Sequence, residues 1–436
     1  MATSSKAVTL AEGALAEAPL ERRRLGLFDV LCIGVNATVG SGVFTLPDDM
    51  QREMGGFSPL AYLLCALLLL PVALCFAELS GRFEETGGAY VYAREAFGPK
   101  VGYILGWFCW TATFVSWAAN TTLLIALLGV DPLPFGKPLC ALAILALGAV
   151  NYVGIRPGAW TVNVVVIGKL AAIACFLAVA FFSFNPSRFG GALPHGAAGV
   201  GQGIYLALFP LQGFEVAPVA AGETKNARRN VPLATMGTLF FSAILFIIVQ
   251  TALVGSYPNL AADSQQPLTD AARHLGRTLG ILVFAGSMIS IGGFNAGSAL
   301  GSPRYARAIA AHGLLPAPLA RIHPRWSTPH IAIVTTTLLA TSLAIFFDYR
   351  QLVGMTNITV VIQYLFTCLA VPFIRRKQHQ ASTGWIIPGG PVVPLLGAAG
   401  SLVLLRGANL AEVIFAAAAL VVGVIVLAVQ TRSQRP

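Results

Sequence analysis

Twelve apolar runs follow one another along this chain with only short polar connections between them: 25–46, 57–79, 101–128, 138–153, 160–184, 199–221, 233–256, 279–309, 330–347, 352–373, 392–405 and 408–429. Most approach or exceed the roughly 20 residues that a helix needs to cross a bilayer; the eleventh, short and Pro-rich, is the weakest. Lipid offers no water to satisfy backbone amides, so runs of this length must close their hydrogen bonds internally, as helices. The alternating pattern of a membrane β-barrel is absent. Composition agrees: of 436 residues 56% are hydrophobic and 11% charged, against about 25% charged in soluble domains. So few charges cannot cover a water-facing surface. Disorder, a secreted disulfide scaffold and a nucleic-acid binder are excluded, despite the net charge of +10. The reading is an all-α polytopic membrane protein of 12 transmembrane helices, built as one domain in contact with lipid.

The basic excess follows the topology. Twelve spans put both termini on one side. Seven of the 28 Lys and Arg residues fall on the other side (Arg52, Lys137, Arg188, Arg273, Arg277, Arg350 and Arg406), and one, Lys169, lies within a span. The remaining 20 share the side of the termini, which the positive-inside rule assigns to the cytoplasm. The first twenty residues have no apolar core and read as a cytoplasmic tail, 1–24, rather than a cleaved signal. The seven cysteines, odd in number and without CxxC spacing, lie in or beside apolar runs and read as packing residues. The connection 310–329 reads either as an amphipathic helix on the membrane surface or as a solvated linker.

Two spans are interrupted near their middles. The first contains Val39-Gly40-Ser41-Gly42-Val43, and the sixth contains Phe209-Pro210-Leu211-Gln212-Gly213-Phe214-Glu215. Breaks at corresponding places in two halves point to an inverted repeat with a binding site at the midplane. Spans one and six are five apart and so enter the membrane from opposite sides, as inversion requires. The expected organisation is a first five-helix repeat over 25–184, a second over 199–373, two further helices within 385–429 and a short tail, 430–436.

A broken helix exposes amides at one half-helix start and carbonyls at the other half-helix end, with partial charges of opposite sign. A zwitterion with a carboxylate and an ammonium fits these two poles. Gly40 and Gly42 let a ligand approach the backbone, and Ser41 adds a hydroxyl. Taken alone, Gly-Ser-Gly reads equally as close helix packing; its pairing with the break at Pro210 and Gly213 favours a site. Phe209, Phe214 and Phe294 are the aromatics expected at the cavity. Asn120, Asn295 and Gln363 are polar groups expected to bond between helices.

Two charges lie within spans, where burial costs about 2.5–3.5 kcal/mol on insertion scales. Lys169 has three readings: a proton-exchanging group, a fixed ammonium bonded to carbonyls of the first break in place of a sodium ion, or a side chain snorkelling to the interface. Glu215 reads either as a brace for the unwound sixth span or as a gating and proton-coupling group. No metal or cofactor is expected; a proton gradient would supply the energy. The sequence carries no signature of oligomeric state.

These residues resemble the amino acid–polyamine–organocation (APC) superfamily, specifically its bacterial amino acid permeases, across spans one to ten. The motifs are Gly40-Ser41-Gly42-Val43-Phe44, then Ala77-Glu78-Leu79-Ser80-Gly81-Arg82-Phe83 running into Gly87-Gly88-Ala89-Tyr90-Val91-Tyr92. Gly213-Phe214-Glu215, Glu223-Thr224-Lys225-Asn226 with Val231-Pro232, and Ala311-His312-Gly313-Leu314-Leu315-Pro316 follow. The resemblance implies the 5+5 inverted repeat of the leucine-transporter fold, with discontinuous helices 1 and 6, and alternating access around a central amino acid. It implies that the carboxylate meets the amides of Ser41 and Gly42, and that the amino group meets carbonyls of Thr38, Phe209 and Gln212. Phe294 stands where the family's arginine/agmatine antiporter has a Trp gate. Lys169 matches a span-five lysine of proton-coupled members and exchangers, which the antiporter lacks. Pro210 and Gln212 depart from the family pattern and bear on side-chain selectivity.

The expected function is amino acid transport across the bacterial cytoplasmic membrane, by proton-coupled import. The alternatives are an exchanger of amino acids or polyamines and a transporter-like nutrient sensor. An enzyme is disfavoured: there is no HExxH pair, no phosphate-binding loop and no histidine at a span centre. A sensor would need a signalling domain, and only seven residues follow the last span. A channel would need a longer polar stripe than these spans carry.

Overall fold

The computed structural model describes residues 25–130, 133–154, 159–377 and 385–433. The expected tail 1–24 lies outside the described residues, as do 434–436. The described chain is helical, and its one β-bridge joins Leu25 to Thr224. In chain order the helices are α1 (Leu27–Thr38), α2 (Gly42–Thr45), α3 (Pro47–Met54), α4 (Pro59–Ser80), α5 (Ala89–Phe97), α6 (Pro99–Leu127), α7 (Gly136–Tyr152) and α8 (Ala159–Phe182). They continue as α9 (Gly196–Leu211), α10 (Ala227–Ser256), α11 (Pro267–Leu275), α12 (Arg277–Ala311), α13 (His330–Phe346), α14 (Tyr349–Lys377), α15 (Val392–Leu405) and α16 (Leu410–Ser433).

Among the described residues eight helical stretches are long and apolar enough to cross a membrane, and α7, α13 and α15 are shorter apolar helices. Their outer faces need lipid. Phe181 and Phe182 are 76% and 87% exposed, and α16 turns Val413, Ile414, Val421, Ile425 and Val429 outward. A soluble monomer does not expose apolar surface on this scale.

The interior is formed by α1, α4, α6, α9, α12 and α14, which carry the large buried rings Tyr62, Phe76, Trp117 and Tyr364. Phe214 stacks on Tyr364 with centroids 5.3 Å apart, and Phe76 meets both rings edge-on. α15 packs on α4 and α14, and α16 on α6 and α14. Trp107 Nε1 donates to the Ala419 carbonyl at 2.8 Å, and the Tyr103 hydroxyl to that of Gly423 at 2.9 Å, fastening α16 to α6.

The two ends of the bundle differ in charge. One end, here the basic end, carries Arg82, Arg94, Arg228, Arg304 and Arg375. At the other, the opposite end, Lys137 Nζ caps the last turn of α13 through the carbonyls of Ala344 and Phe347. Of the two readings of the connection 310–329, the structure has the linker: beyond the end of α12 at Ala311 it forms turns and a single 3₁₀ turn, Ala317–Ala320, and no amphipathic helix. Two prolines, Pro316 and Pro318, remove amide donors there. The large loop at the opposite end holds a short helix, α11, begun by Pro267.

The Ala77–Phe83 motif has a structural reason. Glu78, fully buried at the basic end of α4, accepts from Arg82 at 2.8 Å. It also accepts from Arg375 of α14 at 2.8 and 2.5 Å, and from the Ile387 amide at 3.0 Å. One carboxylate thus ties α4, α14 and the chain leading into α15. Removing one member of a buried pair strands the others, at about 3–5 kcal/mol. Glu78→Ala is therefore expected to lower the melting temperature of the detergent-solubilised protein sharply, and Glu78→Asp less; an unchanged melt for Glu78→Ala would show the clasp to be dispensable.

Candidate functional site

The first span breaks at Val39. α1 ends at Thr38, the chain turns with Gly40 N donating back to the Thr38 carbonyl at 2.9 Å, and helix resumes at Gly42. Among the described residues no carbonyl accepts from the amides of Ser41 and Gly42, the first donors of the new helix. The carbonyls of the break are answered from two other helices. Lys169 Nζ of α8, with no exposed surface, donates to the Val39 carbonyl at 2.7 Å, to Asn36 Oδ1 at 2.9 Å and to the Asn36 carbonyl at 3.4 Å. The Ser290 hydroxyl of α12 lies 2.9 and 3.0 Å from the Val39 and Gly40 carbonyls.

The sixth span breaks at Gln212-Gly213. Pro210 lies inside α9, and the chain leaves helix only at Gln212, which is extended. Gly213 has φ 123°, and a Cβ there would sit 2.7 Å from the Thr38 amide nitrogen, so only glycine fits. Its amide turns away from the helix to Glu215 Oε2 at 2.8 Å. This removes the donor that a continuing helix would bring to the Phe209 carbonyl. Glu215 Oε2 also accepts from the Tyr364 hydroxyl at 2.9 Å. A 3₁₀ stretch, Phe214–Glu223, carries the chain onward.

The two breaks touch: a Cβ on Gly42 would lie 2.6 Å from Pro210 Cγ. Between them and α6, α12 and α14 lies a cavity of about 310 Å³. Thr38, Gly40, Ser41, Gly42, Phe209, Gln212, Gly213, Glu215 and Phe294 border it. The Phe294 ring lies over Gly40, 3.4 Å from where a Cβ would be. Val39, Lys169, Pro210 and Phe214 do not border the cavity. Val39 and Lys169 sit behind the first break, bonded to each other; Pro210 packs on Gly42; Phe214 is fully buried against Tyr364.

The cavity reaches the basic end at Leu25 and at the half-exposed pair Arg304–Glu223, 3.4 Å apart. At the opposite end it is closed by Tyr349, whose hydroxyl bonds Ser41 Oγ at 3.2 Å and Thr45 Oγ1 at 3.0 Å. Phe209 meets the Tyr349 ring edge-on. Beyond this plug, Arg350 pairs with Asp49 at 3.3 Å and Asp263 at 2.8 Å, and Arg52 pairs with Asp48 at 3.0 Å. Burial, with Asp49 beside it, pushes the Asp48 carboxyl up to about 6.

The polar residues on the spans divide. Gln363 bonds between helices, accepting from Cys109 Sγ at 2.7 Å. Asn120 instead donates within its own helix, to the Ser116 carbonyl, which leaves Oδ1 unpartnered at the cavity wall. Neither side-chain atom of Asn295 has a partner. Gln212 presents an unpartnered Oε1 to the cavity. Sequence reasoning missed Tyr349, Ser290 and Asn36. Tyr349 follows Phe347-Asp348 at a helix start, where an interfacial aromatic is common, and nothing in its neighbours points to Ser41, 308 positions away. Ser290 is one small residue among many on α12.

The chain matches the family model described as amino acid permease over residues 25–431. It is 25% identical over 397 residues to the methylthioribose transporter of Bacillus subtilis, covering 86% of each chain. It is 26% identical over 431 residues to the branched-chain amino acid permease BcaP of Lactococcus lactis, covering 91% of this chain and 92% of that one. It is also 27% identical over 397 residues to cationic amino acid transporter 4 of Mus musculus, covering 85% and 62%. With two interrupted helices around one cavity and a match over nearly its whole length, the chain belongs to the amino acid permease family of the APC superfamily, as a membrane transporter and not an enzyme.

Proposed function

We propose that this protein is a secondary active transporter that moves amino acids across the bacterial cytoplasmic membrane by alternating access, importing them with protons. The observation that carries the reading is a pair of backbone poles without a backbone partner among the described residues, on residues that border one cavity: the amides of Ser41 and Gly42, and the Phe209 carbonyl. A carboxylate satisfies the first and an ammonium the second. The 5+5 repeat, with halves 25–184 and 199–373, twelve spans and helices 1 and 6 discontinuous, accounts for two breaks of opposite sense meeting at Gly42 and Pro210. The basic end is cytoplasmic by the positive-inside rule, with both termini there. The conformation is then inward-facing, with Tyr349 and Phe209 closing the outer side and Phe294 lying over the first break.

Lys169 and Glu215 are the proton-coupling candidates. Lys169 meets no carboxylate among the described residues, so a proton lost from Nζ leaves no buried counter-charge. Its loss withdraws the donor from the Val39 carbonyl and loosens the first break. One observation favours a second reading, an exchanger: three oxygens already engage Nζ, as they would a permanent cation standing for sodium.

Purified protein in liposomes is expected to accumulate a neutral amino acid when the outside is acid. Uptake of none of the twenty amino acids would remove the reading. Lys169→Ala is expected to abolish pH-gradient-driven uptake; if counterflow and gradient-driven uptake both persist, Lys169 is neither coupling group nor fixed cation. Gly42→Leu would drive a side chain into Pro210 and force the two breaks apart beside the Ser41 and Gly42 amides. It is expected to weaken amino acid binding at least tenfold in a thermal-shift screen, and unchanged affinity would move the site elsewhere.

A further inference from the structure

A second cavity, of about 240 Å³, lies at the opposite end between α3, α9, α14 and the start of α16. Its charged and titratable lining is Asp49, Arg52 and Glu53 from α3, Tyr205 from α9, Arg350 from α14 and Glu412 from α16. Most of these charges already have partners. Arg350 holds Asp49 and Asp263, Arg52 holds Asp48 and Asp49, and Glu53 meets His195 at 3.1 Å.

Glu412 is the exception. It is 8% exposed, in the first turn of a helix whose apolar middle is turned to lipid. It accepts from the Tyr205 hydroxyl at 2.5 Å, from Asn409 Nδ2 at 2.8 Å and from the Asn409 amide at 3.3 Å. All three donors are neutral. Its head fills the place where residue 354 would carry a side chain, so the glycine at 354 is its socket. Asn357 Oδ1, buried on the wall of the same cavity, has no donor. Asn409 Oδ1 accepts in turn from the Glu412 amide at 3.0 Å, so the pair caps the start of α16; beyond that cap, the carboxylate is buried on a cavity wall with only neutral donors on it, and can change protonation without stranding a bound cation.

What Glu412 holds matters for closure. Tyr205 lies one helical turn before Phe209, the residue that closes the central cavity with Tyr349. Asn357 Nδ2 donates to the Tyr205 carbonyl at 3.3 Å, so α14 and α16 both grip α9 at this residue.

We propose that Glu412 is a proton-binding site reached from the outer side, and that its protonation releases α9 from α16 so that the outer side can open. The inference rests on the transport reading and deepens it. A proton from the acidic outer solution adds to the carboxylate, which keeps only a weaker, neutral acceptor and gains an O–H to offer to a cavity whose Asn357 Oδ1 lacks one. The Tyr205 hydroxyl loses its charged acceptor. Helices α15 and α16, outside the repeat, then act as the fixed post to which a moving half-helix is tied.

The test uses full-length protein in proteoliposomes, with two readouts. The first is the infrared carboxyl band that appears between about pH 8 and about pH 5. The second is uptake of a radiolabelled mixture of the twenty amino acids, both by counterflow and under an inward pH gradient. Glu412→Gln is expected to remove one carboxyl band and to lower gradient-driven uptake at least fivefold, while counterflow stays within about twofold. Tyr205→Phe, which keeps the carboxylate but cuts the tie, is expected to give fast uptake that no longer depends on outer pH. Wild-type band pattern in Glu412→Gln, or a wild-type pH profile in either variant, overturns the proposal. Should wild-type protein carry no amino acid at all, the transport reading fails on its own, and the infrared arm still decides whether Glu412 takes up a proton.

Discussion

A helix interrupted inside a bilayer must have its freed amides and carbonyls answered by something other than water. In this protein that requirement organises the interior. The carbonyls of the first break are met by Lys169 from α8 and Ser290 from α12, so two distant helices are drawn to one point. The freed Gly213 amide of the second break is met by Glu215, itself held by Tyr364 of α14. Among the described residues the amides of Ser41 and Gly42 and the Phe209 carbonyl have no backbone partner, and these three residues border a shared cavity. Structural and cavity-side polarity are thus separated: one side of each break is buried against charged or hydroxyl side chains, and the other borders the cavity.

The same separation appears along the axis of the bundle. At the basic end Glu78 gathers two arginines and a backbone amide into a static clasp. The opposite end is closed by weaker and more divisible contacts: a tyrosine hydroxyl shared between Ser41 and Thr45, an edge-on ring pair, and arginines shared among several aspartates. Exposed or shared ion pairs of this kind contribute little each. Glu412 belongs to neither pattern, being buried yet matched only by neutral donors, and it holds the helix that ends at the second break.

Much of this was legible in the chain itself. Apolar runs longer than a bilayer is thick marked the membrane helices, and the glycines at 40, 42 and 213 marked the interruptions, because these features act through local backbone chemistry. Lys169 and Glu215 stood out because a charge in an apolar run is costly wherever it lies. The sequence was less informative about direction. It placed Phe214 with the cavity aromatics, whereas the extended turn at Gln212 rotates it into the Phe76–Tyr364 cluster. It expected Pro210 at the break itself, whereas Pro210 stays helical and fills the gap above Gly42. Asn120 was expected to bridge helices and instead bonds one turn back, leaving an acceptor for the cavity.

By itself, then, the sequence determined the class of molecule, the family, the positions of the interruptions and the two intramembrane charges, all properties of a residue and its near neighbours. Only the tertiary structure decided which groups face each other: Tyr349 on Ser41, Ser290 on the Val39 and Gly40 carbonyls, and Glu412 on Tyr205. These partners lie hundreds of positions apart and are ordinary in their own surroundings. Their meaning comes from the rotation of each helix about its axis, which interior packing sets and no periodicity along a nearly uniform apolar run records.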